Sequence, residues 1–209
     1  GQCGKSTLLK IFAGLETPDT GFVTLDGQPI TGPGPDRGIV FQGYMLFAWK
    51  NVRDNVELGL KLRNIPANER HEIAQHYIDM VGLTGFEKHY PHQLSGGMLQ
   101  RCMTALTLAL RPALVVADEP TTALDACHQQ QVLRCLADVA RDASLIFVSH
   151  DFGAVQQLAD EVLVMQAGRC VEYGQAAQLF DAPGHACTRH LVRTRLALWR
   201  GFRQALGDR

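Results

Sequence analysis

Gly1-Gln2-Cys3-Gly4-Lys5-Ser6-Thr7 runs directly into Leu8-Leu9-Lys10-Ile11-Phe12-Ala13-Gly14. Leu8, Leu9, Ile11 and Phe12 fall on helical spacing, and Gly14 is a natural stop. A glycine turn that opens a helix presents backbone N–H groups and the positive end of the helix dipole. Gly4-Lys5-Ser6 matches the close of a phosphate loop, G-x-x-x-x-G-K-[ST]. Lys5 then reaches the β- and γ-phosphates, and the Ser6 hydroxyl ligates Mg²⁺. The plainer reading is a chance glycine turn before a helix. With Gly4 as the second glycine, the first lies before residue 1, as does the strand that feeds such a loop. The expectation is therefore a chain lacking an N-terminal segment.

Outward from this loop, strand and helix patterns alternate. Phe22 to Leu25 reads as a strand closed by the turn signal Asp26-Gly27. Pro29 to Gly38 reads as a loop. Ile39 to Phe41 is a second strand ending at Gln42. Residues 43–97 are richer in charge and helix formers, with helices expected over Val52 to Leu62 and Ala67 to Val81. They read as an inserted α-helical subdomain. A helix is expected from Gly97 to Leu110, stopped by Arg111-Pro112. Ala113 to Ala117 is wholly apolar, as a buried parallel strand requires. Helix Ala126 to Ala140, strand Leu145 to Val148, helix Val155 to Ala159 and strand Val162 to Met165 follow. Residues 175–209 read as a helical tail with a basic stretch, Arg189 to Arg203. This pattern predicts one α/β domain over 1–209, a mainly parallel sheet flanked by helices. Ligands of such sheets bind beyond the carboxyl ends of the strands.

Three polar motifs follow strand ends: Gln42, Asp118-Glu119 and Ser149-His150. Paired carboxylates at the end of a buried strand are costly unless they face a metal or a polar cleft. Asp118 fits an Mg²⁺ ligand, and Glu119 fits the group that orients and polarises water. His150 fits a γ-phosphate contact, although a single histidine near a strand end is more often structural. The remaining histidines, His71, His76 and His185 among them, read as surface residues. Ser95 in Leu94-Ser95-Gly96-Gly97 is a good helix cap, and the glycines admit a ligand close to the backbone. The bland reading is an ordinary helix start. The functional reading is a second phosphate-binding helix end, serving a nucleotide on a partner chain. In this order the motifs equip an ATP-hydrolysing motor domain.

Composition narrows the classes. The chain has 209 residues, 46% of them hydrophobic, with 20 basic and 21 acidic residues and a formal net charge of -1. That is a globular composition, and no basic excess points to nucleic acid as a partner. No apolar run approaches the ~20 residues that span a bilayer. The six cysteines show no zinc spacing and read as reduced thiols.

These residues resemble the nucleotide-binding subunit of an ATP-binding cassette (ABC) transporter. Gly4-Lys5-Ser6-Thr7 is similar to the end of its Walker A loop and Gln42 to its Q-loop glutamine. Leu94 to Arg101 resembles the signature motif and Leu114 to Glu119 the Walker B strand with its catalytic glutamate. Thr122-Ala123-Leu124-Asp125 resembles the D-loop, and His150 the switch histidine. The resemblance implies a P-loop NTPase fold that binds ATP and Mg²⁺. It assigns Glu119, His150 and Gln42 to catalysis, and Ser6, Gln42 and Asp118 to the metal. Nucleotide contacts would come from Gly1 through Thr7 and, across a head-to-tail homodimer or paired cassette, from Ser95, Gly96, Gly97, Gln100 and Asp125. It further implies membrane permease subunits, an extracytoplasmic substrate-binding protein, and a peripheral place on the cytoplasmic face of the inner membrane. Gln2 stands where the family usually has glycine, and the aromatic residue that stacks on adenine belongs upstream of residue 1. Residues 31–37 and 41–60 resemble nitrate, sulfonate and taurine importers. Met98 to Arg101, Ala117 to Asp125 and the tail Tyr173 to Trp199 look more like nickel and oligopeptide importers. The nitrate, sulfonate and taurine type is the leading expectation. A soluble, non-transport ABC ATPase and a binding-only cassette compete with the importer reading.

Overall fold

The apolar run at Leu114 is the middle strand of a parallel sheet in the computed structural model, which describes residues 4–40, 45–122 and 124–194. In chain order the first elements are α1 (Lys5–Phe12), β1 (Thr24–Leu25), β2 (Gln28–Pro29), β3 (Arg37–Val40), α2 (Val52–Leu62) and α3 (Ala67–Met80). There follow α4 (Gly96–Ala109), β4 (Leu114–Asp118), α5 (Ala126–Val139) and β5 (Ser144–Val148). The last are α6 (Phe152–Leu158), β6 (Glu161–Gln166), β7 (Arg169–Gln175) and α7 (Ala176–Asp181). Residues 186–194 are also helical. The chain forms two compact units, one of Leu9–Val148 and one of the residues up to Leu8 with those from Ser149.

In the Leu9–Val148 unit the sheet order is β3-β4-β5, parallel throughout. Val40 pairs with Ala117, and Asp118 with Val148, so the three strands end at one edge. Val115, Val116 and Ala117 are buried, as a strand covered on both faces must be. Leu9, Leu114 and Val116 form a core cluster joined by Phe12, Leu25, Ile146 and Val148. Gly38 admits α4 against β3: a Cβ there would lie 2.6 Å from Thr107 Cγ2 and 2.8 Å from Pro112 Cγ. The Thr107 hydroxyl completes the contact by donating to the Ile39 carbonyl at 3.1 Å.

Val52–Leu62 and Ala67–Met80 are helices, where the sequence predicts them. Asn51 caps α2 by accepting from the Asp54 N–H at 2.8 Å, and Val52, Val56 and Leu60 make its buried stripe. Ala74, Tyr77 and Ile78 are the buried positions of α3. Glu57, 9% exposed, faces α3, where Arg70 Nε donates to Oε2 at 3.2 Å and His71 Nδ1 stands 2.7 Å from Oε1. His71 is exposed, as the sequence suggests, although it is paired with Glu57; the half-buried His89 differs from a surface histidine.

Several boundaries also differ from expectation. The first strand shrinks to Thr24–Leu25 and leaves Phe22 exposed. Part of the expected loop is a strand instead, because Asp26 and Gly27 both take positive φ (50° and 77°) and fold Gln28–Pro29 back onto β1. β7 has no counterpart in the sequence reading. Ala167 and Gly168 (φ 48° and 76°) make the same kind of two-residue turn, pairing Gln166 with Arg169. Arg169–Gln175 is too polar for strand periodicity to reveal it. The sheet content is therefore one parallel sheet and two antiparallel hairpins among the described residues. α6 begins three residues earlier than its apolar pattern, because Asp151 caps it by accepting from the Gly153 N–H at 2.9 Å.

Candidate functional site

The start of α1 has the properties an anion requires. Gly4 lies at φ +79°, a conformation that strains any residue with a Cβ, and its carbonyl accepts from the Leu8 N–H at 3.0 Å. The first N–H groups of a helix have no intrahelical partner. The first turn of α1 carries no acidic side chain to oppose a phosphate. Lys5 is half-buried, and Ser6 and Thr7 are exposed. These features fit a bound polyphosphate, with Lys5 and Ser6 the side chains that open the helix. Gly1, Gln2, Cys3 and Gln42 lie outside the described residues.

The end of β4 is a second, differently built place. The Glu119 N–H donates to the Val148 carbonyl at 2.9 Å, so pairing with β5 extends one residue past the strand. Glu119 then turns into the left-handed region at φ +49°, which is sparsely populated for residues other than glycine. Pro120 and Thr121 are buried beneath the turn, and the Thr122 N–H closes it on the Glu119 carbonyl at 3.3 Å. The Thr122 hydroxyl donates to Glu119 Oε2 at 3.0 Å. Asp118 and Glu119 are both half-buried. The turn leads to Asp125, which caps α5 by accepting from the Cys127 and His128 N–H groups at 3.1 Å each. His128 Nδ1 stands 2.6 Å from Asp125 Oδ2. Hydrogen bonds from the His128 backbone and ring, with that of Cys127, hold the Asp125 carboxyl below its ordinary range.

Ser95 caps α4, accepting from the Met98 N–H at 3.3 Å, and the first turn of this helix also lacks acidic side chains. Gln100, one turn further on, is 2% exposed. Arg101 is buried, and its Nη1 donates to the carbonyls of Val81 (3.1 Å) and Gly82 (2.8 Å) beyond the end of α3. Burial lowers its pKa while the field of Asp125 opposes that shift. Charge thus links the helix after Ser95 to the turn after Glu119. At the start of the other unit, Ser149 Oγ accepts from the Asp151 N–H at 2.9 Å, and His150 between them is exposed.

Sequence reasoning placed Thr122 in the D-loop without a role for its hydroxyl, and missed His128 and Asn55 as working residues. Asp125-x-x-His128 is a spacing that could have been read as an i,i+3 pair on a helix start. Nothing in the sequence marks the Thr122 hydroxyl, because its partner depends on the turn. Among the described residues no group of three His, Cys, Asp or Glu could hold a metal ion. Mg²⁺ commonly keeps its waters and takes only one or two protein ligands beside substrate phosphates. No described helix is long and apolar enough to cross a membrane.

A parallel sheet whose strands end in polar motifs, with a glycine-lysine helix start, defines an α/β P-loop NTPase of the cassette type. A solved dimeric ATP-binding cassette in a post-hydrolysis state, bound to ADP and Pi, has this fold. It aligns with TM-score 0.76 and 28% identity over 83% of this chain and 81% of that one. Residues 2–122 match the ABC transporter family, and the chain belongs to it. It is 45% identical to the nitrate import ATP-binding protein NrtD of Synechocystis over 166 residues, 78% of this chain and 62% of that protein. It is 42% identical to the taurine import ATP-binding protein TauB of Yersinia pestis over 168 residues, 79% of this chain and 66% of that protein. The chain therefore spans less than two thirds of the length of these relatives.

Proposed function

We propose that the chain is the ATP-binding part of an importer of the nitrate, sulfonate and taurine type, and that it hydrolyses ATP to power transport. The observation that carries this reading is the close of β4. There a buried strand delivers Asp118 and Glu119 to a turn with Glu119 at φ +49°, a sparsely populated conformation of the kind that clusters at active sites. In this reading the phosphates rest on residues Gly1 through Thr7, with Lys5 countering their charge. Ser6, Gln42 and Asp118 hold Mg²⁺, which neutralises charge on the phosphates when bound. Glu119 takes the proton of the attacking water, Gln42 helps orient that water, and His150 contacts the γ-phosphate. A second copy or a paired cassette completes the site with its own Ser95, Gly96, Gly97, Gln100 and Asp125. Closure of the pair on ATP and reopening after hydrolysis drive two permease subunits at the cytoplasmic face of the inner membrane. A substrate-binding protein delivers cargo from outside the membrane. The names of the nitrate and taurine relatives support this cargo class over the nickel and oligopeptide class that the tail resembles.

The test uses the full-length protein. Lys5→Ala should weaken ATP binding, and unchanged affinity would contradict the phosphate assignment. Glu119→Gln should keep ATP, favour a closed dimer and lose hydrolysis by a factor of ~10² or more. Normal turnover in that variant would remove Glu119 from its role.

A further inference from the structure

The proposed base sits on a turn whose geometry is over-determined by backbone, while its side chain has several rotatable bonds. Glu119 is fixed by its N–H to Val148 and by its carbonyl to the Thr122 N–H, with Pro120 presetting the bend between them. A glutamate on so rigid a base can still sweep its carboxylate through many positions, and ordering it costs rotamer entropy. A side-chain contact opposes that freedom: the Thr122 hydroxyl donates to Glu119 Oε2 at 3.0 Å. Threonine is suited to this, because branching at Cβ restricts χ1 and keeps the hydroxyl in one direction. The hydroxyl engages Oε2 and so limits the directions in which the carboxylate can face.

We propose that Thr122 is a positioning residue that holds the Glu119 carboxylate in the orientation needed to polarise water. The inference rests on the ATPase reading of Glu119. Thr122 does not touch the reacting atoms; it acts through Glu119. Being exposed, it can be changed without opening the core.

The experiment measures ATPase rate against ATP concentration in the full-length protein, comparing wild type with T122V, T122S, E119Q and the T122V/E119Q double variant. T122V keeps the shape and removes the donor. Its kcat should fall by about 10-fold, the worth of one hydrogen bond to a charged group, with KM for ATP unchanged. T122S restores the donor and should recover most of the rate. The double variant should be no slower than E119Q alone, since Thr122 has nothing left to position. A T122V enzyme with wild-type kcat overturns the inference, as does a T122S enzyme as slow as T122V. A change confined to melting temperature also overturns it, because a purely structural turn contact moves stability and not kcat. If E119Q turns over normally, or the wild type does not hydrolyse ATP, the ATPase reading itself falls and the inference with it. Those outcomes are distinct from an inactive E119Q beside a fully active T122V, which removes Thr122 alone.

Discussion

Asn55 is fully buried in α2, yet it is polar, and its amide holds the segment at Phe47 to Asn51. Its Oδ1 accepts from the Phe47 N–H at 2.8 Å. Its Nδ2 faces three carbonyls, those of Phe47 (3.2 Å), Lys50 (2.9 Å) and Asn51 (3.0 Å). An amide nitrogen has only two protons, so three carbonyls share two donors and the side chain makes three bonds' worth of contact. At ~1 kcal/mol net for each, Asn55→Ala should destabilise the protein by about 3 kcal/mol. For a chain of this length that corresponds to a melting temperature lower by roughly 6–12 °C. Urea unfolding measures the free energy, and hydrogen exchange over 45–51 should report faster opening there than elsewhere. Asn55→Asp sharpens the test. Its carboxylate still accepts from Phe47 but meets three carbonyl oxygens with no proton to offer, so it should be worse than alanine at neutral pH. Acidification should relieve this, because the neutral acid regains a donor. A loss under ~1 kcal/mol in the alanine variant, or an aspartate variant no worse than alanine, would refute the reasoning.

Gly38→Ala should cost ~1–3 kcal/mol by overpacking, since its Cβ meets Thr107 Cγ2 and Pro112 Cγ, and denaturant unfolding checks it. Adding Thr107→Ser removes the nearer obstacle and should recover part of that loss. Burial pushes the Cys102 thiol up to about 12, and burial with the nearby Asp138 charge takes Cys135 to about 11. Both should resist alkylation until the protein unfolds, whereas exposed Cys127 and Cys170 react at once; mass spectrometry distinguishes them. Because their folded-state values lie above the unfolded value of ~8.5, their stabilising contribution is complete below that pH and lost as pH climbs toward about 11 to 12. Asp125 has the opposite sign. Its folded-state value is lowered, so its contribution is present above an unfolded pKa of ~3.9 and disappears as pH falls below it. Asp125→Asn should flatten the acid limb of the melting curve, and an unchanged limb would exclude the cap as its origin.

Helices α2, α3, α4 and α5 were legible to within a residue at each end, because each repeats a buried stripe at helical spacing and starts or stops on local chemistry. The same holds for β4, whose unbroken apolar run demands cover on both faces. The hairpin strands β2 and β7 were not legible. Their residues are polar, and what makes them strands is a partner reached through two left-handed turn residues. The candidate site divides in the same way. Residue type and order marked Lys5, Ser6, Ser95, Asp118, Glu119 and His150. The His128 pairing with Asp125, the carbonyls beyond α3 that Arg101 satisfies, and the hydroxyl on Glu119 come from contacts that residue type and order do not announce.

By itself the sequence determined the family and the order of its chemical groups, because a phosphate loop, a capped glycine helix start and an acidic strand end are each written in a few consecutive residues. Tertiary structure decided how those groups are held. The left-handed turn at Glu119 depends on a hydrogen bond to Val148, a residue of another strand. The amide of Asn55 finds its partners only once the 45–51 segment lies over α2. Local sequence sets what a residue can do, but desolvation and pairing, which fix orientation and charge, arise only when distant segments pack together.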